Sequence, residues 1–349
     1  MAKQLLSDVK RDDGLRSGEK APQPRGVGLT RRLAGLGLHE AHFSVRGFKA
    51  ATTRAQQALE DAGIAFIRGY NCALEMTDPL VLAKAATMVE RCRRGLFMEG
   101  AAMGFGIRDA MPWHIFSAAQ LPAFLDSVQT DHPYLPTVGA GWAMARLPWR
   151  RSAILGSLDT LLSPLALDGW GFHDCYFGRT EVGNGSGRNV VRLVGAAGAR
   201  SWDQGAGRAL WFISGGSIAD AVGLINRASP DRHPDLYAGL GLALTYAGGI
   251  DPAAAKEFRS TAGRYGRNLA QGAAFALEAH VRASTDHSDI LAMAAAITGR
   301  DADSVVAIVR SMMPTQLGTR GGASSKSWVL YERWRTCVAE ELEVLEGAE

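Results

Sequence analysis

The chain has 349 residues, 47% of them hydrophobic and 21% charged, and its net charge is +3. This is the balance of a globular chain with a real core, long enough for one large domain or two ordinary ones. Lys and Arg are dispersed rather than gathered in a stripe, which argues against nucleic acid as a partner, and no apolar window, YAGLGLALTYAGGI included, reaches the roughly 20 residues that span a bilayer.

Residues 1 to about 28 are polar and punctuated by Pro and Gly, as in RSGEKAPQPRG; they read as a mobile tail without the apolar stretch of a signal peptide. The cysteines, Cys72, Cys92, Cys175 and Cys337, lie far apart with no CxxC pair, so a reducing, cytoplasmic setting is expected. From about Leu29 onward helix signals follow one another. Leu59, Ala62, Phe66, Tyr70 and Leu74 keep helical spacing. Asp78-Pro79 and Asp251-Pro252 each place a carboxylate at a helix start and proline at the first helical position, and Ser217 and Ser304 are further expected caps. NVVRLVG (189–195) is the one fair strand candidate. The expected fold is mainly α: a single large helical domain over 29–349 built from degenerate helical-pair repeats, with a flexible polar tail over 1–28.

Four stretches resemble one another: EGAAMGFG (99–106), DGWGFHDC (168–175), QGAGRALW (204–211) and QGAAFALE (271–278). Their surroundings recur too, since 78–106 matches 251–277, and HPYLPTVGAGWAMA (132–145) resembles HPDLYAGLGLALTY (233–246). The shared glycines, Gly100, Gly169, Gly205 and Gly272, are spaced by 69, 36 and 67 residues, which suggests alternating long and short steps. Glycine inside a helix costs about 1 kcal/mol relative to alanine, so its recurrence implies a gain from close helix contact.

The residues before those glycines are Glu99, Asp168, Gln204 and Gln271. Polar groups entering apolar helices need partners: they either cross-link neighbouring helices or converge on a cavity, where burial would turn a carboxylate into a general acid. Asp203 and Arg208 either pair or face the same interior. His173 is the best catalytic candidate among the histidines, either facing an internal cavity or standing as a neutral core histidine bonded to backbone, with Asp168 as a helix-start anchor. Trp142, Trp170, Trp202, Trp211, Tyr246 and Phe275 are aromatic candidates either for the wall of a groove that takes a long apolar, unsaturated ligand or for plain core. HEAH (39–42) and DHSD (286–289) offer too few ligands for a metal site. VGNGSGRN (182–189) and GTRGGASSKS (318–327) lack the phosphate-loop signature, and no GxSxG elbow or DDxxD-like run appears. The residues specify no cofactor.

The blocks VRGF (45–48), GYNCALE (69–75), RGLFMEGAAMGFG (94–106), VGAGWAMARLP (138–148), LDGWGFHDCYF (167–177), WDQGAGRALWF (202–212), DLYAGLGLALTYAGG (235–249), LAQGAAFA (269–276) and YERWR (331–335) occur in order. Together they resemble the family called domain of unknown function 1702, which includes the UnbL-type enediyne biosynthesis proteins. The resemblance implies a bacterial natural-product enzyme, or accessory enzyme, acting on a polyketide-derived polyene. It supplies no catalytic residues to carry over. On this expectation Glu99, His173 and Asp203 transfer protons, Arg208 holds an anionic partner, and Trp142, Trp170, Trp211, Tyr246 and Phe275 wall the cavity. The alternatives are a non-catalytic helical-repeat partner or carrier of a biosynthetic complex, and an unconventional polyene or isoprenoid cyclase.

Overall fold

The computed structural model describes residues 27–76, 78–114, 117–178, 182, 187–314 and 325–343. The chain enters through α1 (Val27–Ala34) and the single turn α2 (Phe43–Arg46), then forms the long α3 (Thr53–Glu75). Short and long helices alternate from there: α4 (Pro79–Ala85), α5 (Arg94–Arg108), α6 (Gln120–Val128), α7 (Leu135–Arg146), α8 (Arg151–Gly156), α9 (Pro164–Tyr176) and α10 (Gly187–Ile213). The pattern continues with α11 (Ile218–Ile225), α12 (His233–Ala247), α13 (Pro252–Thr261) and α14 (Gly266–Arg282), and closes with α15 (Ser288–Thr298), α16 (Ala302–Ser311) and α17 (Ser325–Glu343). No strand occurs among the described residues.

The long helices α3, α5, α7, α9, α10, α12 and α14 pack in that order, each against the next, with glycine at every crossing. A methyl group added at Gly100 would collide with the carbonyl oxygen of Phe66, and at Gly139 with that of Glu99. The series goes on: Gly169 sits on Val138, Gly205 on Asp168, Gly239 on Gln204 and Gly272 on Ala238. Five helices carry the pattern Gly-x-Gly, at 104/106, 139/141, 169/171, 205/207 and 239/241, where the first glycine meets the preceding helix and the second meets the following one. Residues two apart on a helix point about 200° apart, so such a helix is held at backbone contact on both sides. Gly139 and Gly239 fill the two long gaps in the expected spacing. The alternation of long and short steps is thereby replaced by a single repeat, with steps of 39, 30, 36, 34 and 33 residues from Gly100 to Gly272.

Contacts advance together along both members of each pair, so the seven helices run parallel. Gly139 faces Glu99 and Gly106 faces Ala143; Gly141 faces Ala166 while Arg146 reaches His173; Gly241 faces Leu269 while Tyr246 stacks on His280. Parallel neighbours require a return segment, which explains the short helices α4, α6, α8, α11 and α13 between them. Between α9 and α10 the return is the first part of α10 itself. Gly195, at φ 73° and ψ 178°, breaks that helix in two.

That first part includes NVVRLVG, expected as a strand and found as helix. Val190 and Val194 are both buried while Arg192 is exposed, which is helical spacing; a strand would have put all three on one face. Asp78 caps α4 by accepting from Leu80 N at 2.9 Å, and Ser217 caps α11 by accepting from Asp220 N at 3.2 Å. Asp251 occupies the cap position of α13 but makes no capping bond, because its carboxylate pairs with Arg54. Ser304 is not a cap: Asp301 takes that place and accepts from Ser304 N at 2.9 Å. Of the expected tail, 1–26 lies outside the described residues, and Val27 and Gly28 open α1. GTRGGASSKS lies outside them as far as 324, and its last three residues begin α17. VGNGSGRN is described only at Val182 and at 187–189, which start α10.

The packing makes opposite predictions for two Gly→Ala changes. Gly205→Ala should destabilise by about 1–3 kcal/mol through overpacking against Asp168. Gly223→Ala, at an exposed α11 position with open space beside it, should stabilise by up to about 1 kcal/mol. Denaturant melts of both variants check this; equal shifts would refute the crossing role of Gly205.

Candidate functional site

Arg208 on α10 lies at the centre of the array. Its Nη1 donates to Asp168 Oδ1 on α9, and its Nη2 stands 3.6 Å from Glu99 Oε1 on α5. Gln204, one turn earlier on α10, donates its Nε2 to Asp168 Oδ2 at 2.7 Å. Trp142 on α7 donates its indole N–H to Glu99 Oε1 at 3.0 Å, and the guanidinium of Arg208 lies 5.2 Å from the centre of the Phe172 ring. Glu99 and Asp168 are 2% and 1% exposed. The register of the helices produces this meeting, because Glu99, Asp168 and Gln204 each precede the glycine of their own helix, and each offers its carbonyl to the glycine of the next.

Two cavities meet at Arg208. One is lined by Leu96, Val138, Leu165, Asp168, Leu242, Tyr246, Phe275, Tyr331 and Trp334, and extends to Tyr134 and Glu278. The other is lined by Phe66, Ile67, Glu99, Met103, Trp142, Phe172, Tyr176 and Phe177, and by Leu36, Glu40, Ala41 and Arg46 from the N-terminal segment. Leu96, Arg208 and Phe212 belong to both walls. Apolar walls with a few converging polar groups are what small-molecule sites share.

Burial pushes the Glu99 carboxyl up to about 7, against the pull of Arg208 and with help from the negative charge of Asp168. The asymmetry has a plain cause: Asp168 bonds Arg208 directly and already balances its charge, so an ionised Glu99 would leave the buried group one negative charge in excess. Glu99 Oε2 has no hydrogen-bond partner. For Arg208 burial opposes the charge, but Asp168 and Glu99 outweigh it and hold the guanidinium above its ordinary value.

The structure brings together only part of the expected set. Glu99, Arg208, Trp142, Tyr246 and Phe275 line the cavities. Asp203 does not pair with Arg208; it pairs with Arg232, whose Nε donates to Asp203 Oδ1 at 3.0 Å, and burial lifts its carboxyl to about 6 despite that partner. His173 is fully buried, yet it stands behind the wall and not in it. Its Nε2 accepts from Arg146 Nε at 3.0 Å, Asp174 lies 3.3 Å from its Nδ1, and its ring packs edge-on against Trp142. Trp211 donates to Gly248 O at 2.9 Å away from both cavities, and Trp170 lies under the Arg151 guanidinium at 3.9 Å. Asp168 is not a helix-start anchor, for it sits within α9, which begins at Pro164, and its side chain holds Arg208. Gln271 joins a separate buried network with Arg335, Asp235 and Glu332 that fastens α17 to α12 and α14. Sequence reasoning missed Glu278, Tyr134, Tyr331 and Trp334, all of which line the first cavity.

The chain matches the family model described as protein of unknown function (DUF1702) over residues 27–342, and it belongs to that family. No curated protein and no solved structure matches it.

The raised Glu99 group fixes a pH dependence. A carboxyl whose folded value exceeds the unfolded one binds more protons when folded, so it stabilises fully below about 4.5, and that contribution is lost as pH rises through about 7. Glu99→Gln removes the dependence. The variant should gain on the wild type by on the order of 2 kcal/mol between pH 5 and pH 8. Thermal melts of the two proteins across that range test it, and a constant difference would contradict the raised value.

Proposed function

We propose that the protein is an enzyme of bacterial natural-product biosynthesis that rearranges a long unsaturated chain without net oxidation or reduction, with Glu99 as its acid–base group. The observation that carries this is the unpaired Glu99 Oε2 in the wall of an apolar cavity, beside a buried guanidinium. A carboxyl near 7 serves equally as base and as acid at neutral pH. In the step we infer, Glu99 takes a proton from a carbon flanking a conjugated carbonyl system, and the C–H electron pair enters that π system. Negative charge then collects on the carbonyl oxygen, where Arg208 stabilises it. The carboxylic acid so formed returns the proton at a conjugated carbon further along, so the double bonds have moved and Glu99 is regenerated. Ring closure before the proton returns would make the same group a polyene cyclase.

The aromatic lining, with Trp142, Phe172, Tyr176 and Phe177 together, suits a flat conjugated chain. The sequence resemblance to enediyne-biosynthesis members of the family supports a polyketide-derived polyene as substrate. Asp168 and Gln204 are positioning residues that aim Arg208. A cytoplasmic setting agrees with the free cysteines Cys72, Cys92, Cys175 and Cys337.

In a producer strain lacking the gene, complementation with Glu99→Gln should restore folded protein, leave the precursor accumulated, and lower product by about 10²–10⁴-fold, the usual worth of a positioned proton-transfer group. Metabolite profiling reads the result. Full product yield from this variant would replace the enzymatic reading with that of a non-catalytic carrier or partner. His173→Ala, whose ring lies behind the wall, should retain turnover if its role is to support Trp142.

A further inference from the structure

The cavity lined by Phe275 and Trp334 has a second polar end, away from Arg208. There Glu278, 1% exposed, accepts from Arg282 at 2.8 Å and from Arg310 Nε at 2.9 Å, and Tyr134 OH lies 3.3 Å from its Oε1. Two guanidiniums share one carboxylate, so one positive charge is left over. The charge is also graded in depth: the side chain of Arg282 is 24% exposed and that of Arg310 46% exposed. Glu278 and Tyr134 form the cavity wall at this end, and the two arginines stand behind them, joining the buried carboxylate to the surface. Arg310 engages Glu278 through its Nε, and neither arginine pairs with another carboxylate among the described residues. Arg282 lies over the Tyr134 ring at 5.6 Å, which fixes its plane. Between this end and Arg208 the wall is almost wholly apolar, with Leu242, Ala243, Phe275, Ala276 and Val309.

We propose that Arg282 and Arg310 bind the anionic head group of the ligand, a carboxylate or a phosphate ester, while its unsaturated tail runs inward past Tyr246 to Arg208 and Glu99. This rests on the reading that the cavities take a long unsaturated chain. Arginine suits both anions because its planar fork meets two oxygens at once. Glu278 holds the two guanidiniums apart and competes with the ligand for them. It keeps the two neighbouring guanidiniums from standing unbalanced when no ligand is bound. The outer end thus sets which head group is accepted and how far the chain reaches, and the inner end carries the chemistry.

The probe is cis-parinaric acid, a fluorescent conjugated fatty acid, compared with its methyl ester in titrations of the full-length protein. The wild type should bind the acid about ten- to hundredfold more tightly than the ester, the worth of a charge-assisted bond. Arg310→Gln and Arg282→Gln should each remove most of that preference while leaving ester affinity unchanged. Glu278→Gln should strengthen acid binding, because it removes the competing carboxylate; a merely structural ion pair would not behave so. Displacement by tetradecyl phosphate against tetradecanoic acid then tells which anion the fork prefers. Equal wild-type affinity for acid and ester, or equal loss of both in the arginine variants, overturns the head-group site and leaves the proposed chemistry standing. Failure of the wild type to bind either probe overturns both.

Discussion

Backbone contact at glycine is the constraint on which the rest of this structure depends. Parallel helices of ordinary composition pack 8–10 Å apart because side chains stand between them. Here a Gly faces a carbonyl at each crossing from α3 to α14, so the axes close in and weak Cα–H···O contacts become possible. Each such glycine costs helix stability by about 1 kcal/mol, and the close approach returns it as dispersion and as apolar area removed from water. The return segments follow from the same choice, since parallel neighbours cannot be joined by a tight turn.

Close packing also explains how two carboxylates come to share one buried arginine. The residues before the glycines occupy equivalent places in the repeat on α5, α9 and α10, so Glu99, Asp168 and Gln204 are brought to the same level of the array by the repeat itself. Burying a guanidinium is tolerated only with full compensation. Asp168 supplies the charge and Gln204 holds Asp168 in place. Glu99 is then surplus to neutrality, and its proton becomes negotiable near neutral pH. An acid of this kind arises without any special loop or strained residue.

The helical class, the recurrence and most of the glycine logic were legible in the sequence, because 3.6-residue periodicity and the penalty for glycine are local properties. The true period was obscured because Gly139 follows Val138 and Gly239 follows Ala238, so the polar residue that marks the other sites is absent there. The strand reading of NVVRLVG failed because three valines outweighed a helical burial pattern that only the fold displays. Glu99 and Arg208 were identifiable as buried polar residues beside repeated glycines. Which partner each would find was not, because pairing depends on the register between helices. Asp203 differs from Gln204 by one position, about 100° around α10, and that rotation sends it to Arg232 in place of Arg208. Nothing in the sequence marks Glu278 and Tyr134, which face each other from helices far apart in the chain.

The same geometry makes stability and site inseparable. The backbone carbonyls of Glu99 and Asp168 are the atoms on which Gly139 and Gly205 rest, so the Cα positions of both carboxylate residues are fixed by the crossings that hold the domain together. A site built on packed helices is positioned more rigidly than one built on loops, and preorganised charge is what stabilises a developing anion without reorganisation at the moment of reaction. His173 and Arg146 extend this support outward: the imidazole packs against Trp142, and Trp142 in turn bonds Glu99. The stretch that carries Asp168, Phe172 and His173 therefore contributes to the arginine, to the cavity wall and to the layer behind it on successive turns of one helix, and glycine at 169 and 171 is what allows the neighbouring helices close enough to use all three.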